Sequence, residues 1–208
     1  MLVHVQQVDV LREHDAAAVG HGAARGAVDI LYVKVASGLG AGIVLGGRLH
    51  RGATGIAGEI GHVQVGEDGQ VCRCGNRGCL ETVASGASLV RQMRARGNDQ
   101  VQTTTDVLTL ARDADPEATT LVRTAGTHLG QALSGVVNFF NPHAVFLTGS
   151  MSASEPFIAA VRSRVYEACH PLATQRLRIE AATTGADAIL HGAARLALEG
   201  LDIPVAAD

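Results

Sequence analysis

Tryptophan is absent from the 208-residue sequence and aromatics make up only 3 % of it, which weighs against base stacking as a mode of binding. Lysine and arginine (17) are outnumbered by aspartate and glutamate (20), the formal charge is -3, and no basic cluster stands out. No surface built to grip nucleic acid is visible. No apolar run reaches the roughly 20 residues needed to cross a bilayer, and the opening MLVHVQQVDV has neither the charged head nor the long apolar core of an export signal. The chain is therefore expected to be soluble and cytoplasmic. Internal repeats and low-complexity linkers are also missing, so no interior domain boundary is expected.

What is present is a chain 47 % apolar, long enough to bury a sizeable core, with 25 glycines that point to tight turns and close backbone approaches. VHVQQVDVL alternates as a strand does, and a small-residue helix is predicted from Asp15 to near Gly26. The run VDILYVKVA (28–36) is apolar on both faces, as a central strand should be. It reads as emptying into a glycine loop, Ser37 to Gly42, followed by a hairpin about Gly46-Gly47. Residues 54–81 read as loop. Beyond Ser85 the spacing turns helical: ASLVRQMRA, then TTTDVLTLARD with a threonine cap, then a long helix opened by Asp115-Pro116-Glu117 and stopped by Asn141-Pro142. Leu121, Val122, Ala125, Leu129, Leu133, Val136, Val137 and Phe140 form its predicted buried stripe. A strand at 144–150, a helix from about Glu155 to Ala168, a strand near RLRIEAA and a final helix from about Ala186 to Glu199 complete an α/β order.

Three of the four cysteines, Cys72, Cys74 and Cys79, fall within eight residues. A disulfide between the first two would close too small a ring to be relaxed, and a core of this size needs no such staple. Three thiolates leave one vacancy in a tetrahedral zinc site, and His62, ten residues before Cys72, is the nearest candidate to fill it. The expected centre is structural Cys3His zinc, closed to substrate; three unrelated buried thiols are the alternative. Beside it stand Glu59, His62 and Glu81. Carboxylates and an imidazole fixed by a rigid scaffold suit a ligand with several hydroxyls, such as a carbohydrate. Read more plainly, Glu59 and Glu81 are ordinary exposed acids.

These segments together resemble the ROK family of bacterial sugar kinases and sugar-responsive transcriptional repressors. The matching residues are Glu13-His-Asp15, Ser37-Gly-Leu-Gly-Ala-Gly42, Arg51-Gly52 with Ala57-Gly-Glu59-Ile-Gly-His62, and Cys72-x-Cys74-Gly-x-x-Gly-Cys79-Leu-Glu81. Weaker similarity continues through Leu147-Thr-Gly149-Ser and Thr184-Gly185 to the end. The resemblance implies an actin-like ATPase (ribonuclease H-like) lobe with a mixed sheet, flanking helices and a zinc knuckle. It implies that Asp15 is the general base of the kinases, taking a proton from the attacking sugar hydroxyl. His14, Asp15, Glu59, His62 and Glu81 would contact the sugar, with one His62 nitrogen on zinc and the other on the sugar. Ser37, Gly38, Gly40 and Gly42 would form the second phosphate-binding loop, and Gly149 would lie under the nucleoside.

Two departures shape the expectation. Kinases of the family usually carry Asn before the catalytic aspartate, whereas this chain has His14, as several repressors do. The first phosphate motif, Asp-x-Gly-x-Thr, and a helix-turn-helix segment are both missing from the sequence. By comparison with the family, residues 1–208 are expected to be the second lobe, with 1–12 a remnant of the first, and with neither the first phosphate-binding lobe nor an N-terminal DNA-binding domain. ATP with Mg would then bind only alongside a complete first lobe, and DNA only through the missing domain. The expected partners are a small sugar and a second copy of the chain in a homodimer, with no membrane. The final helix, through Ile189, Leu190 and Leu196, is expected to face the missing lobe. Three functions stay open: a sugar-sensing effector domain of a regulator, a fragment of a glucokinase- or fructokinase-type enzyme, and a zinc-stabilised scaffold that binds no sugar.

Overall fold

A computed structural model describes residues 15, 18, 28–67, 69–183 and 187–199. The predicted opening strand, His14, the remnant 1–12 and most of the helix from Asp15 to Gly26 lie outside the described residues; Asp15 and Ala18 are helical and buried.

The strands are β1 (Ile30–Val35), β2 (Leu39–Leu45), β3 (Arg48–Leu49), β4 (Ala144–Thr148) and β5 (Arg178–Ala181), arranged β3-β2-β1-β4-β5. β1 is antiparallel to β2 and parallel to β4, so the sheet is mixed, as expected. Period-two alternation divides its side chains between two cores. Leu31, Val33, Val35, Val145 and Leu147 enter the larger one, while Ile30, Tyr32, Val44, Ala144 and Phe146 enter a smaller one on the opposite face. Burial on both faces explains why β1 and β4 read as unbroken apolar runs.

The helices are α1 (Leu80–Ala84), α2 (Gly86–Ala95), α3 (Thr104–Arg112), α4 (Pro116–Phe140), α5 (Glu155–Ala168), α6 (Pro171–Thr174) and α7 (Asp187–Glu199). Local chemistry sets their ends. Ser85 Oγ accepts from Ser88 N at 3.1 Å, Thr103 and Asp106 form a reciprocal capping box, and Asp115 Oδ1 accepts from Ala118 N at 2.8 Å. At the other end of α4, Asn141 takes a left-handed conformation (φ 48°) before Pro142. The predicted stripe of α4 is buried through Val137 apart from half-buried Val136, but its last turn is not: Phe139 is 87 % exposed and Phe140 half-exposed.

Two expectations are corrected. The segment Ser37 to Gly42 is not one loop: the turn comprises Ala36, Ser37 and Gly38, and Gly40 and Gly42 lie in β2, paired with Lys34 and Tyr32. Leu39, Ala41 and Ile43 alternate with those glycines and enter the larger core, so the sheet face overrides the loop-like composition. The final helix also packs within this chain. Ile189 and Leu196 close the smaller core against the sheet, leaving Leu190 68 % exposed.

Candidate functional site

The candidate site is assembled where residues 52–81 fold over the edge of the sheet. Ala41 N of β2 donates to Gly58 O at 2.9 Å, fixing the strand before a single 3-10 turn, Ile60–His62. The next two arms are laced together by Val65 N to Gly78 O and Leu80 N to Val63 O, both 2.8 Å. Between them the chain turns tightly, with Cys72 N donating to Asn76 O at 2.7 Å and Gly75 N to Cys72 O at 2.9 Å.

This turn brings Cys72, Cys74, Cys79 and His62 together, with all four potential ligand atoms within 4.8 Å of one another. Cys72 Sγ lies 3.5 Å from His62 Nδ1, and Cys74 Sγ lies 3.6 Å from Cys79 Sγ. A tetrahedral zinc with bonds of about 2.3 Å to sulfur needs sulfur–sulfur edges of about 3.8 Å, so the cluster has the size and donor set for that ion. Electrostatics agree. Burial, then its two thiol neighbours, pushes the Cys79 thiol up to about 12, whereas a hydrogen bond from the Asn76 backbone leads in holding Cys74 below its ordinary value. Three adjacent thiols cannot all ionise cheaply without a cation between them.

Carboxylates flank the cluster on two sides. His62 Nε2, the nitrogen turned away from the thiols, is 3.8 Å from Glu59 Oε2. Glu81, in the first turn of α1, accepts from Leu39 N at 3.3 Å through Oε2 and meets Arg73 Nε at 3.2 Å through Oε1. Leu39 directly follows the Ala36–Gly38 turn, so an expected sugar residue touches the expected phosphate-binding segment. The N-terminus of α2 pins that same turn from behind: Gly86 N donates to Ala36 O at 2.7 Å and Ala87 N to Ser37 O at 3.3 Å.

The remaining expected residues lie elsewhere on the sheet. Gly149 follows β4 with φ 87°, and a Cβ there would stand 2.5 Å from Val35 O, so only glycine lets this segment approach the end of β1. Gly40 and Gly42 occupy β2 positions on the smaller-core side. Asp15 is helical and 2 % exposed, and Ala18 packs in that smaller core.

Three features escaped sequence reasoning. The Leu39 amide carries no side-chain signature. Arg73 could have been suspected only from its place between two cysteines. A cavity of about 300 Å3 beside Glu59, walled by Leu31, Ala41, Ile43, Ile60 and Phe140 among others, joins residues far apart in sequence.

A ROK family profile matches residues 5–200. The chain belongs to the ROK family. It is 34 % identical to the xylose repressor of Bacillus subtilis (strain 168) over 167 residues, covering 76 % of this chain and 43 % of the repressor. A crystal structure of a ROK family transcriptional regulator, a homologue of the Escherichia coli MLC protein, superposes with a TM-score of 0.81 at 29 % identity, over 89 % of this chain and 51 % of that one. A ROK family glucokinase from Streptomyces griseus, solved with glucose and AMPPNP, gives a TM-score of 0.79 at 30 % identity, over 90 % and 67 %. The chain spans about half the length of the curated repressors it matches. Its mixed α/β architecture is the one these ROK structures share, and its relatives include both repressors and glucokinases. Among the described residues, no helix is long and apolar enough to cross a membrane.

Proposed function

We propose that this chain is the sugar-binding effector domain of a ROK transcriptional regulator, corresponding to the family's second lobe, and that a structural zinc orders its sugar site. The observation that carries this reading is the union of two sets of groups on one short segment: a metal-sized Cys3His cluster, and the carboxylates of Glu59 and Glu81 held against it. Zinc, when bound, supplies a fixed tetrahedral anchor and takes no part in chemistry, since four protein donors leave no open position. The residues themselves do the recognition. His62 directs Nδ1 to the thiolates, which turns Nε2 outward beside Glu59, and Glu81 offers a carboxylate aligned by a backbone amide. The carboxylate acceptors and the Nε2–H donor together discriminate among polyols by the direction of their hydroxyls. His14 ahead of Asp15 and the identity to the xylose repressor favour the regulator, which would act in the cytoplasm as a homodimer and reach DNA through a separate N-terminal domain.

Calorimetric titration of the zinc-replete protein with glucose, xylose, fructose, N-acetylglucosamine and N-acetylmannosamine tests the reading. One sugar is expected to bind, and silence across the panel would promote the scaffold alternative. Similarity to the glucose-bound glucokinase supports a second reading, a sugar kinase whose Asp15 acts as general base, with ATP and Mg bound at Ser37, Gly38 and Gly149 when a complete first lobe is present. The coding sequence upstream separates them: a winged-helix segment plus the first lobe indicates a regulator, the first lobe alone a kinase.

A further inference from the structure

The two oxygens of Glu81 have different surroundings. Oε2 accepts from Leu39 N and faces backbone: a Cβ added at Gly61 would stand 3.2 Å from it, and one at Gly38 3.5 Å. Oε1 is the oxygen that meets a side chain, Arg73 Nε, at 3.2 Å. The Glu81 side chain is 15 % exposed and that of Arg73 76 %, so a solvent-facing guanidinium meets a carboxylate that is already nearly enclosed. Arg73 stands between Cys72 and Cys74, and Glu81 follows Cys79 by two residues. Both partners therefore hang from backbone that the same Cys3His cluster holds. Arg73 lies within the tight turn closed by Cys72 N and Asn76 O.

We propose that Arg73 is a positioning residue for sugar recognition: it fixes the plane of the Glu81 carboxylate through Oε1 and ties that orientation to metal occupancy. The proposal rests on the reading of Glu81 as a sugar ligand. A carboxylate free at one oxygen can swing about its terminal torsion, which is broad and two-fold, and so presents its lone pairs in many directions. Two donors converging on opposite oxygens remove that freedom before a ligand arrives, which lowers the ordering cost of binding. An ion pair this exposed contributes little to folding. Loss of Arg73 therefore separates orientation from stability, and loss of metal releases both ends of the link at once.

The test uses the zinc-loaded protein, Arg73→Met and Arg73→Lys, with two measurements. The first is titration with the sugar panel; the second, made without sugar, is hydrogen exchange at the Leu39 amide, which reports whether Glu81 stays docked on β2. Arg73→Met is expected to keep stoichiometric zinc, weaken sugar binding about tenfold, as for loss of one charge-assisted hydrogen bond, and speed Leu39 exchange several-fold. Arg73→Lys is expected to restore most of both. Unchanged affinity and unchanged Leu39 exchange in Arg73→Met would overturn the proposal, as would a loss of affinity that Lys does not rescue while Leu39 exchange stays at the wild-type rate. Absence of sugar binding in the wild type would sink the sugar reading instead, with Leu39 exchange still deciding whether Arg73 positions Glu81.

Discussion

The knuckle of residues 59–81 and the layer formed by α4 with the sheet are held by different physics. α4 buries Leu121, Val122, Ala125, Leu129, Leu133 and Val137 in the larger core that also holds residues of β1, β4 and α5, so its order comes from apolar area removed from water. The knuckle buries few large apolar side chains. Val63 and Val71 are exposed, and the segment depends on backbone bridges and on four potential metal ligands. On the proposed reading, one region is stable whatever occupies the site, while the other is ordered by the zinc, and it is the second that carries the candidate sugar residues. This division lets ligand recognition be lost without the fold being lost.

The largest expected effect breaks the knuckle alone. Cys74→Ser should abolish stoichiometric zinc, measured by atomic emission, and raise hydrogen exchange across residues 59–81 while α4 and α5 stay protected; retention of one zinc per chain would refute the Cys3His assignment. Chelation of the metal should reproduce the same exchange pattern. Next, Leu133→Ala, at a fully buried position of α4, should cost about 3 kcal/mol in denaturant unfolding, the range typical of buried leucine truncation, with metal stoichiometry intact. Glu81→Gln should then abolish sugar uptake with little change in zinc content or melting temperature, because it alters an acceptor and removes no ligand to the metal. A smaller effect, about 1 kcal/mol, is expected for Asp115→Ala, which removes the cap of α4.

The smallest concerns pH. Hydrogen bonds from the Gln102 backbone, then from Thr103, hold the Asp106 carboxyl below its ordinary value. A depressed folded-state pKa contributes stability that is present above the unfolded value and lost as the pH falls through the folded one. The stability difference between the wild type and Asp106→Asn should accordingly be largest near neutrality and vanish in strong acid. A difference independent of pH would mean that the capping geometry, not the charge, matters.

Much of this was legible in the sequence because the signals are local. The span Glu155–Ala168, the opening of α4 by Asp115-Pro116 and the Cys-x-Cys spacing each follow from neighbours a few residues apart, and the structure places them as read. Gly40 and Gly42 were misread because glycine is a loop former in isolation, whereas pairing with Lys34 and Tyr32 decides their conformation. The docking of α7 through Ile189 and Leu196 was hidden for a similar reason: an amphipathic stripe shows that a face is buried, not what buries it. Arg73 with Glu81 and the Leu39 amide required knowing which turn meets which helix, and that information is tertiary.

The Ala36–Gly38 turn is fastened to α2 through the amides of Gly86 and Ala87, while Leu39 just beyond it is fastened to Glu81 in α1, and α1 and α2 are separated by Ser85 alone. Turn, carboxylate and helix start thus form a triangulated truss whose sides cannot lengthen one at a time. Any ligand that touches both the turn and Glu81 meets a span of fixed length. Stretching that span would break all three joints together.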